Sequence, residues 1–392
     1  MIAGIVCEFN PLHLGHQHLL QQVRQAGAET VVCAMSGNFV QRGEPALLRK
    51  HLRAGAAIDC GADLVLEIPT PWAMATAEIF ARGGVSILHR AGCTHLAFGS
   101  ESGQTQTLQR VAESLDASEY DWLLRKYLGS GITFAAARQQ AVEAMVGPEA
   151  ASALGRPNDT LAVEYLRAAA HLGAQLTPMA IPRVGAMHGE TERGGIASAT
   201  HVRHLVGEGK IDRACGFLPP VMADILRREV EGGTVAEVSR AERAILSALR
   251  QCDAEALRRC DSGNEGLENR LMSAMAQARN LEEVLFLAKT KRYTAARLRR
   301  MVMWAWLRPM EQPMDTPPYL RVLAANEKGR QLLRTLRDGG APVLTKAADV
   351  ALLGSDAQRL MECESRWSDL HGLCREAIPP CGEEWRSSPV MR

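Results

Sequence analysis

Three histidines, His13, His16 and His18, crowd into the stretch NPLHLGHQH, from Asn10 to His18. Histidines at such spacing can ligate a metal, sit on a helix surface, or donate to phosphate oxygens. A metal site of the HExxH kind puts its ligands on one helix face with a carboxylate among them. Here the one neighbouring acid is Glu8, which makes metal the weakest reading. The phosphate reading fits the surroundings. A strand-length apolar run, GIVCEF, ends just before Asn10-Pro11, and a helical pattern opens near Gly15. In open α/β sheets ligands bind beyond the carboxyl ends of the strands, where a helix N-terminus offers N–H groups and the positive end of its dipole. Gly15 adds no side chain to block a phosphate, and His13 and His16 flank it as donors. His18 reads as a helix residue close to the same ligand.

A second string of this kind is IASATHVRHL, Ile196 to Leu205. Ser198 or Thr200 can cap a helix and offer a hydroxyl, while Arg203 projects from its first turn, a combination that clamps phosphate. Alone, the string is equally an ordinary capped helix with a surface arginine. MSGNFVQRGEPA, Met35 to Ala46, reads as a loop over a nucleotide or RNA with Gln41 and Arg42 toward the cleft, or as a plain connection ahead of a Pro-started helix. From Lys289 to Arg308 the chain carries Lys289, Lys291, Arg292, Arg297, Arg299, Arg300 and Arg308 without an acid, and Tyr293 stands among them. Such a basic helix with an aromatic suits RNA, since phosphate neutralisation supplies most affinity and bases stack on rings. Its plain alternative is a solvated helix face backed by MVMWAWL.

These residues need elements to hold them. MIAGIVCEF, TVVCAMSG, DLVLEIP and HLAFGS are strand-length apolar runs, with QLTPMAIPRVG a further one. HQHLLQQVRQAG, PALLRKHLRAGAAIDCGA and TAEIFARGGVSILHRAG lie between them with apolar residues three and four apart, each stopping near a glycine. Alternation of this kind predicts α/β architecture: a Rossmann-like, mostly parallel sheet covered on both faces. From about residue 212 the pattern turns helical, including LEEVLFLAKTKRYTAARLRRMVMWAWL from 281 to 307, and LRPMEQPMDTPP punctuates the end of that region with four prolines. PYLRVLAA and APVLTKA look extended again. The expected division is 1–211 for a nucleotide-binding catalytic domain, 212–310 for a helical RNA-binding domain and 311–392 for a small mixed α/β segment.

Composition narrows the class. The 392 residues are 46% hydrophobic and 23% charged, with a net charge of +1, ordinary for a soluble globular protein. No apolar run approaches the roughly 18 residues that span a bilayer, and MIAGIVCEF lacks the marks of a signal peptide. A cytoplasmic protein with no membrane partner is the expectation. Ten cysteines occur without a CxxC pair, so reduced structural thiols are expected and no metal site is assigned.

HxGH after the first strand, paired with S-x-T-x-x-R far downstream, resembles the adenylyl-transferring HIGH superfamily. CEFNPLHLGH, MSGNFVQRGEPA, DLVLEIP, AFGSE, RPNDTLAVEYLRA, IPRVGA, IASATHVR, GLENRL, TKRYTAARLRRM, PYLRVLAANEKG and PVLTK stand in the order of the bacterial tRNA(Met) cytidine acetate ligases. That resemblance covers the chain to about residue 350. It implies an ATP-dependent ligase that forms acetyl-adenylate and acetylates N4 of the wobble cytidine of elongator tRNA(Met), with acetate and tRNA as partners and Mg²⁺ escorting the triphosphate. It implies an ATP site of Val6, Cys7, Glu8, Phe9, Asn10, Pro11, Leu12, His13, Leu14, Gly15, His16, Gln17, His18 and Leu19, joined by Gly99, Asn158, Arg183 and Ser198. His13, His16, Thr200 and Arg203 would carry the chemistry. Phe9, Leu12 and Leu14 replace the tyrosine, phenylalanine and asparagine of the usual family string EYNPFHNGH. The alternative is a nucleotidyltransferase acting on a phosphorylated small molecule; such enzymes are typically much shorter.

Overall fold

The apolar runs of the first half form parallel strands in the computed structural model, which describes residues 1–183, 192–193, 195–261 and 266–392. The strands are β1 (Ile2–Cys7), β2 (Thr30–Ser36), β3 (Leu64–Ile68), β4 (His95–Ser100) and β5 (Thr177–Pro182), side by side in the order β3-β2-β1-β4-β5. Alternate residues feed opposite faces, as the period of two demands. Val6, Val32, Ala34, Leu64 and Leu66 enter one core, while Ala3, Ile5, Cys7, Val31, Cys33 and Val65 enter the other. Helices α1 (Leu14–Gln25), α2 (Lys50–Asp59), α3 (Ala77–Arg90), α4 (Thr105–Leu115) and α5 (Pro157–His171) cover the faces.

The strand order decides where a ligand goes. The chain steps outward from β1 to β3 on one side, then returns to place β4 on the other side of β1. Connections leave the carboxyl ends of β1 and β4 in opposite directions, which opens a crevice at that switch point. The loop after β1 is the histidine stretch, and the loop after β4 begins at Glu101.

Beyond α6 (Ala199–Gly207) the chain is helical, through Pro220–Glu231, Glu242–Arg250 and Leu267–Gln277. The stretch 281–307, expected as continuous helix, is two helices, α7 (Leu281–Ala288) and α8 (Ala295–Leu307). Arg270 ends the first by donating to the carbonyls of Leu287 and Ala288 at 3.1 and 2.7 Å. Thr294 starts the second, its hydroxyl accepting from the Arg297 N–H, as an N-cap should.

Residues 311–392 hold strands and helices both, and their strands extend the same sheet. β6 (Leu320–Ala325) runs antiparallel to β3, with Val322 opposite Leu66; β7 (Val343–Leu344) and β8 (Val390–Met391) pair with it. Between them lies α9 (Ser355–Gly372). This end is anchored by buried charge. Lys50 Nζ lies 2.7 Å from Glu67 and 2.7 Å from Glu384, and Arg321 lies 3.2 Å from Glu384. Burial alone would raise the Glu384 carboxyl, but Lys50 and Arg321 hold it below its usual range. Removing one member of such a group leaves uncompensated charge in the interior. Glu384→Ala is expected to destabilise the fold by about 3–5 kcal/mol, read from urea unfolding. A loss below about 1 kcal/mol would mean the anchor contributes no more than a surface pair.

Candidate functional site

The loop after β1 folds its histidines back onto the helix that follows. Phe9 takes a left-handed backbone, φ 45°, with its side chain buried, and the Asn10–Pro11 bond is cis. His13 is the N-cap of α1: its Nδ1 accepts from the Gly15 N–H at 3.1 Å, while its own N–H donates to His16 Nδ1 at 3.3 Å. This is a capping box with imidazoles in both positions. Because both Nδ1 atoms accept, both rings carry their proton on Nε2. The rings stack 3.7 Å apart at 24°, and Phe9 meets His16 edge-on at 5.1 Å. Burial, with Arg183 nearby, lowers His13 to about 3 and pushes His16 well below its usual range, the neighbouring His13 adding to the latter. The site therefore presents two neutral imidazoles, each with an Nε2–H to give.

Two expectations change here. The helix N-terminus does not offer open N–H groups: Leu14 donates to Phe217 O at 3.0 Å, Gly15 to His13 Nδ1 and His16 to His13 O at 2.9 Å. The donors left for a phosphate are imidazole edges, with the helix dipole behind them. Nor does Gly15 chiefly clear room for a ligand. A Cβ there would lie 2.9 Å from His13 Cε1 and 3.3 Å from Ile196 Cγ2, so its missing side chain is what lets the His13 ring fold back.

The distant string joins this loop. Ser198 caps α6, accepting from the His201 N–H at 3.2 Å. Arg203 Nη1 donates to Asn10 O at 2.8 Å; its other nitrogen lies 3.4 Å from both Thr200 Oγ1 and Glu44. Asn10 Oδ1 accepts from the Leu47 N–H at 2.7 Å, which fixes its amide and leaves Nδ2 buried without a partner among the described residues. His201 Nε2 is stranded in the same way. Buried polar atoms are nearly always satisfied, so the Asn10 Nδ2 group fits a ligand that brings acceptor oxygens, as a nucleotide triphosphate does.

The loop after β2 is held from several sides. Gln41 N–H donates to Glu8 at 2.8 Å. Burial pushes the Glu8 carboxyl above its usual range, against that bond and the guanidinium groups of Arg203, Arg42 and Arg53. The fully buried Arg53 donates to the carbonyls of Leu48 at 2.9 Å, Glu8 at 2.6 Å and Gly37, tying the two loops together. From α9, His371 Nε2 donates to Ala46 O at 2.9 Å and Ser368 Oγ accepts from Asn38 at 3.1 Å. Nothing in the sequence alone singles out Arg53 or His371, because their partners are backbone carbonyls.

Across the crevice, Gly99 lies against the Arg183 side chain, with Cγ 3.4 Å from where a Cβ would stand. Asn158 Nδ2 donates to Glu101 at 2.6 Å, and the Asp159 N–H donates to the same carboxylate at 2.9 Å. Asp159 in turn accepts from the Glu101 N–H at 3.0 Å. Glu101 and Asp159 thus position Asn158.

The remaining expected residues divide by burial. Val6, Cys7, Phe9 and Leu12 pack their side chains into the core, and Pro11 is buried as well. Leu14, Gln17, His18 and Leu19 are half-buried on α1. In the basic stretch, Lys289, Lys291 and Arg292 are exposed. Arg297 pairs with Asp261 at 2.8 Å. Arg299 donates to Arg42 O at 3.2 Å and lies 3.3 Å from Glu44, and Arg300 donates to Gln41 O at 3.1 Å. Tyr293, expected to stack on a base, is a core residue only 7% exposed, with the guanidinium groups of Arg292 and Arg297 5.9 and 5.5 Å from its ring centre. Among the described residues no three His, Cys, Asp or Glu side chains cluster to hold a metal ion, and no helix is long and apolar enough to cross a membrane.

This arrangement has known counterparts. Residues 1–380 match the HIGH Nucleotidyl Transferase family. A tRNA(Met) cytidine acetate ligase of Alkaliphilus metalliredigens is 35% identical over 420 residues, covering 100% of this chain and 99% of the relative. Another, from Syntrophomonas wolfei, is 36% identical and covers 99% of each chain. The crystal structure of Thermotoga maritima TmcAL bound with α-thio ATP aligns with a TM-score of 0.91 at 30% identity, over 100% of this chain and 99% of that one. The apo form of the same protein gives 0.92 at 29%. The chain belongs to the HIGH nucleotidyltransferase family and, within it, to the tRNA(Met) cytidine acetate ligases.

Proposed function

We propose that the chain is an ATP-dependent ligase that activates acetate as acetyl-adenylate and acetylates N4 of the wobble cytidine of elongator tRNA(Met). The observation that carries this reading is the His13–His16 capping box at the switch point, with Arg203 bound to the same loop. In the first step an acetate oxygen attacks the α-phosphorus and the bond to the β-phosphate oxygen breaks, releasing pyrophosphate. His13 and His16 donate Nε2–H to the oxygens on which charge develops, and Arg203 with Thr200 steadies the departing pyrophosphate. Phosphoryl chemistry of this kind is mostly positioning and charge neutralisation, and a Mg²⁺ carried in on the triphosphate would supply further neutralisation. In the second step the cytosine amine attacks the acetyl carbon, the bond from that carbon to the AMP phosphate oxygen breaks, and the proton shed by the amine goes to the departing AMP phosphate or to water. Neutral imidazoles suit the first step, since each donates to the developing charge without having to lose its proton.

The helical region supports an RNA substrate by its place. The first turns of α8 hold the loop at Gln41 and Arg42, so the basic stretch adjoins the crevice. Gly43, at φ 75°, lies so close that a Cβ would fall 2.4 Å from Arg300 N. We assign residues 1–211 to nucleotide chemistry and 212–310 to RNA contact on this basis, and place the protein in the cytoplasm with its substrate.

Purified protein given labelled acetate, ATP and bulk bacterial tRNA is expected to yield N4-acetylcytidine on digestion of the RNA. Absence of label in RNA would sink the reading, and adenylylation of a phosphorylated metabolite would favour the alternative. Gly15→Ala, which drives a Cβ into the His13 ring, and His16→Ala should each slow acetate-dependent pyrophosphate exchange by about 10²–10³ while thermal unfolding stays close to that of the unaltered protein. Full exchange activity in Gly15→Ala would show that the folded-back ring is not the working form.

A further inference from the structure

We propose that Phe286, at the end of α7, is a stacking platform for an unpaired base of the RNA substrate, with Lys289 and Lys291 on the flanking phosphates. The inference rests on the tRNA reading above and names the aromatic that the basic stretch needs once Tyr293 is found in the core.

Phe286 is 79% exposed and its neighbour Leu287 37%. In a chain with 5% aromatic residues, a phenylalanine left in water forgoes the burial that normally holds it. On α7 itself Glu282 and Glu283 lie one turn before Phe286, Glu283 paired with Arg279 at 3.2 Å. The loop that follows is cationic, with no acid from Val284 to Met310 and the exposed Lys289 and Lys291 within five positions of Phe286. The carbonyl end of a helix repels phosphate through its partial negative charge. Here Arg270 donates to the carbonyls of Leu287 and Ala288, which both quenches that end and fixes it in place. An apolar partner surface would not call for this run of cations, whereas a single strand presents bases and phosphates together. The platform is joined through the chain to a helix that reaches the site loops. The loop after it leads into α8, where Arg299 contacts Glu44, which in turn lies 3.4 Å from Arg203 of the site. A target cytidine turned out of its stack exposes its neighbours, and an exposed aromatic ring receives one of them.

The test uses the full chain and bulk bacterial tRNA. One base stack is worth a factor of about 5 to 150 in affinity, so Phe286→Ala should raise the tRNA Kd by that factor. Phe286→Trp should restore binding, and acetate-dependent pyrophosphate exchange should be the same in both. Lys289→Ala with Lys291→Ala should lower the slope of log Kd against log salt by about 1.4, at about 0.7 per phosphate for single strands. Unaltered tRNA affinity in Phe286→Ala would overturn the platform while leaving the ligase reading intact. A change in sedimentation of Phe286→Ala, with tRNA affinity kept, would assign the patch to a second copy of the chain and also overturn it. Failure of the unaltered protein to acetylate any tRNA would sink both readings together.

Discussion

Everything at the site depends on two imidazoles that cap a helix with the wrong residue type. Serine and glutamate usually close a capping box because they are small or flexible and satisfy N–H groups at little steric cost. Histidine does the same work with Nδ1, and the substitution has a chemical result. An Nδ1 that accepts from the backbone sets the tautomer, and the opposite nitrogen becomes a donor at a fixed place. Burial then disfavours the charge, so both rings donate as neutral imidazoles near neutral pH. The cost is space, met by the missing side chain of Gly15.

That constraint explains why so much of the chain gathers around one loop. Asn10 is held by Leu47 and Arg203, Glu8 by Gln41 and Arg53, and the loop carrying Gln41 is held by α8 and α9. Small displacements of donors have large effects on phosphoryl chemistry. A loop pinned through its backbone carbonyls has little freedom to drift. The C-terminal region contributes because its strand continues the sheet and because the Lys50–Glu384 pair fastens it to α2, the helix that also supplies Arg53.

The parallel strands were legible because continuous apolar runs alternating with helical patterns admit few other arrangements. The crevice followed from the order of βα units, and HxGH could be placed in it without coordinates. Other features hid for identifiable reasons. Residues 281–307 keep an apolar helical repeat through the break, and what ends α7 is Arg270, distant in sequence. Tyr293 sits in a basic run that looks solvated, but its ring is buried, with Arg292 and Arg297 against it and Arg297 paired with Asp261. The capping role of His13 and His16 was hidden because a histidine is seldom read as a cap. An H-x-x-H string at a strand-to-helix turn is the signal that would have found it.

Charge is the last point at which composition and structure part. A net charge of +1 gives no long-range attraction for RNA, and several site arginines are engaged within the protein: Arg297 with Asp261, Arg299 with Glu44, Arg203 with Glu44 and Asn10. These cations are scaffolding for the loops, and an RNA phosphate would have to displace an existing partner to reach them. The cations of Lys289 and Lys291 stand outside that scaffold. Attraction is therefore local, set within a Debye length of about 8–10 Å, and it acts only once the RNA is already near the crevice. A surface of that kind discriminates by fit at the site rather than by gathering polyanions from a distance.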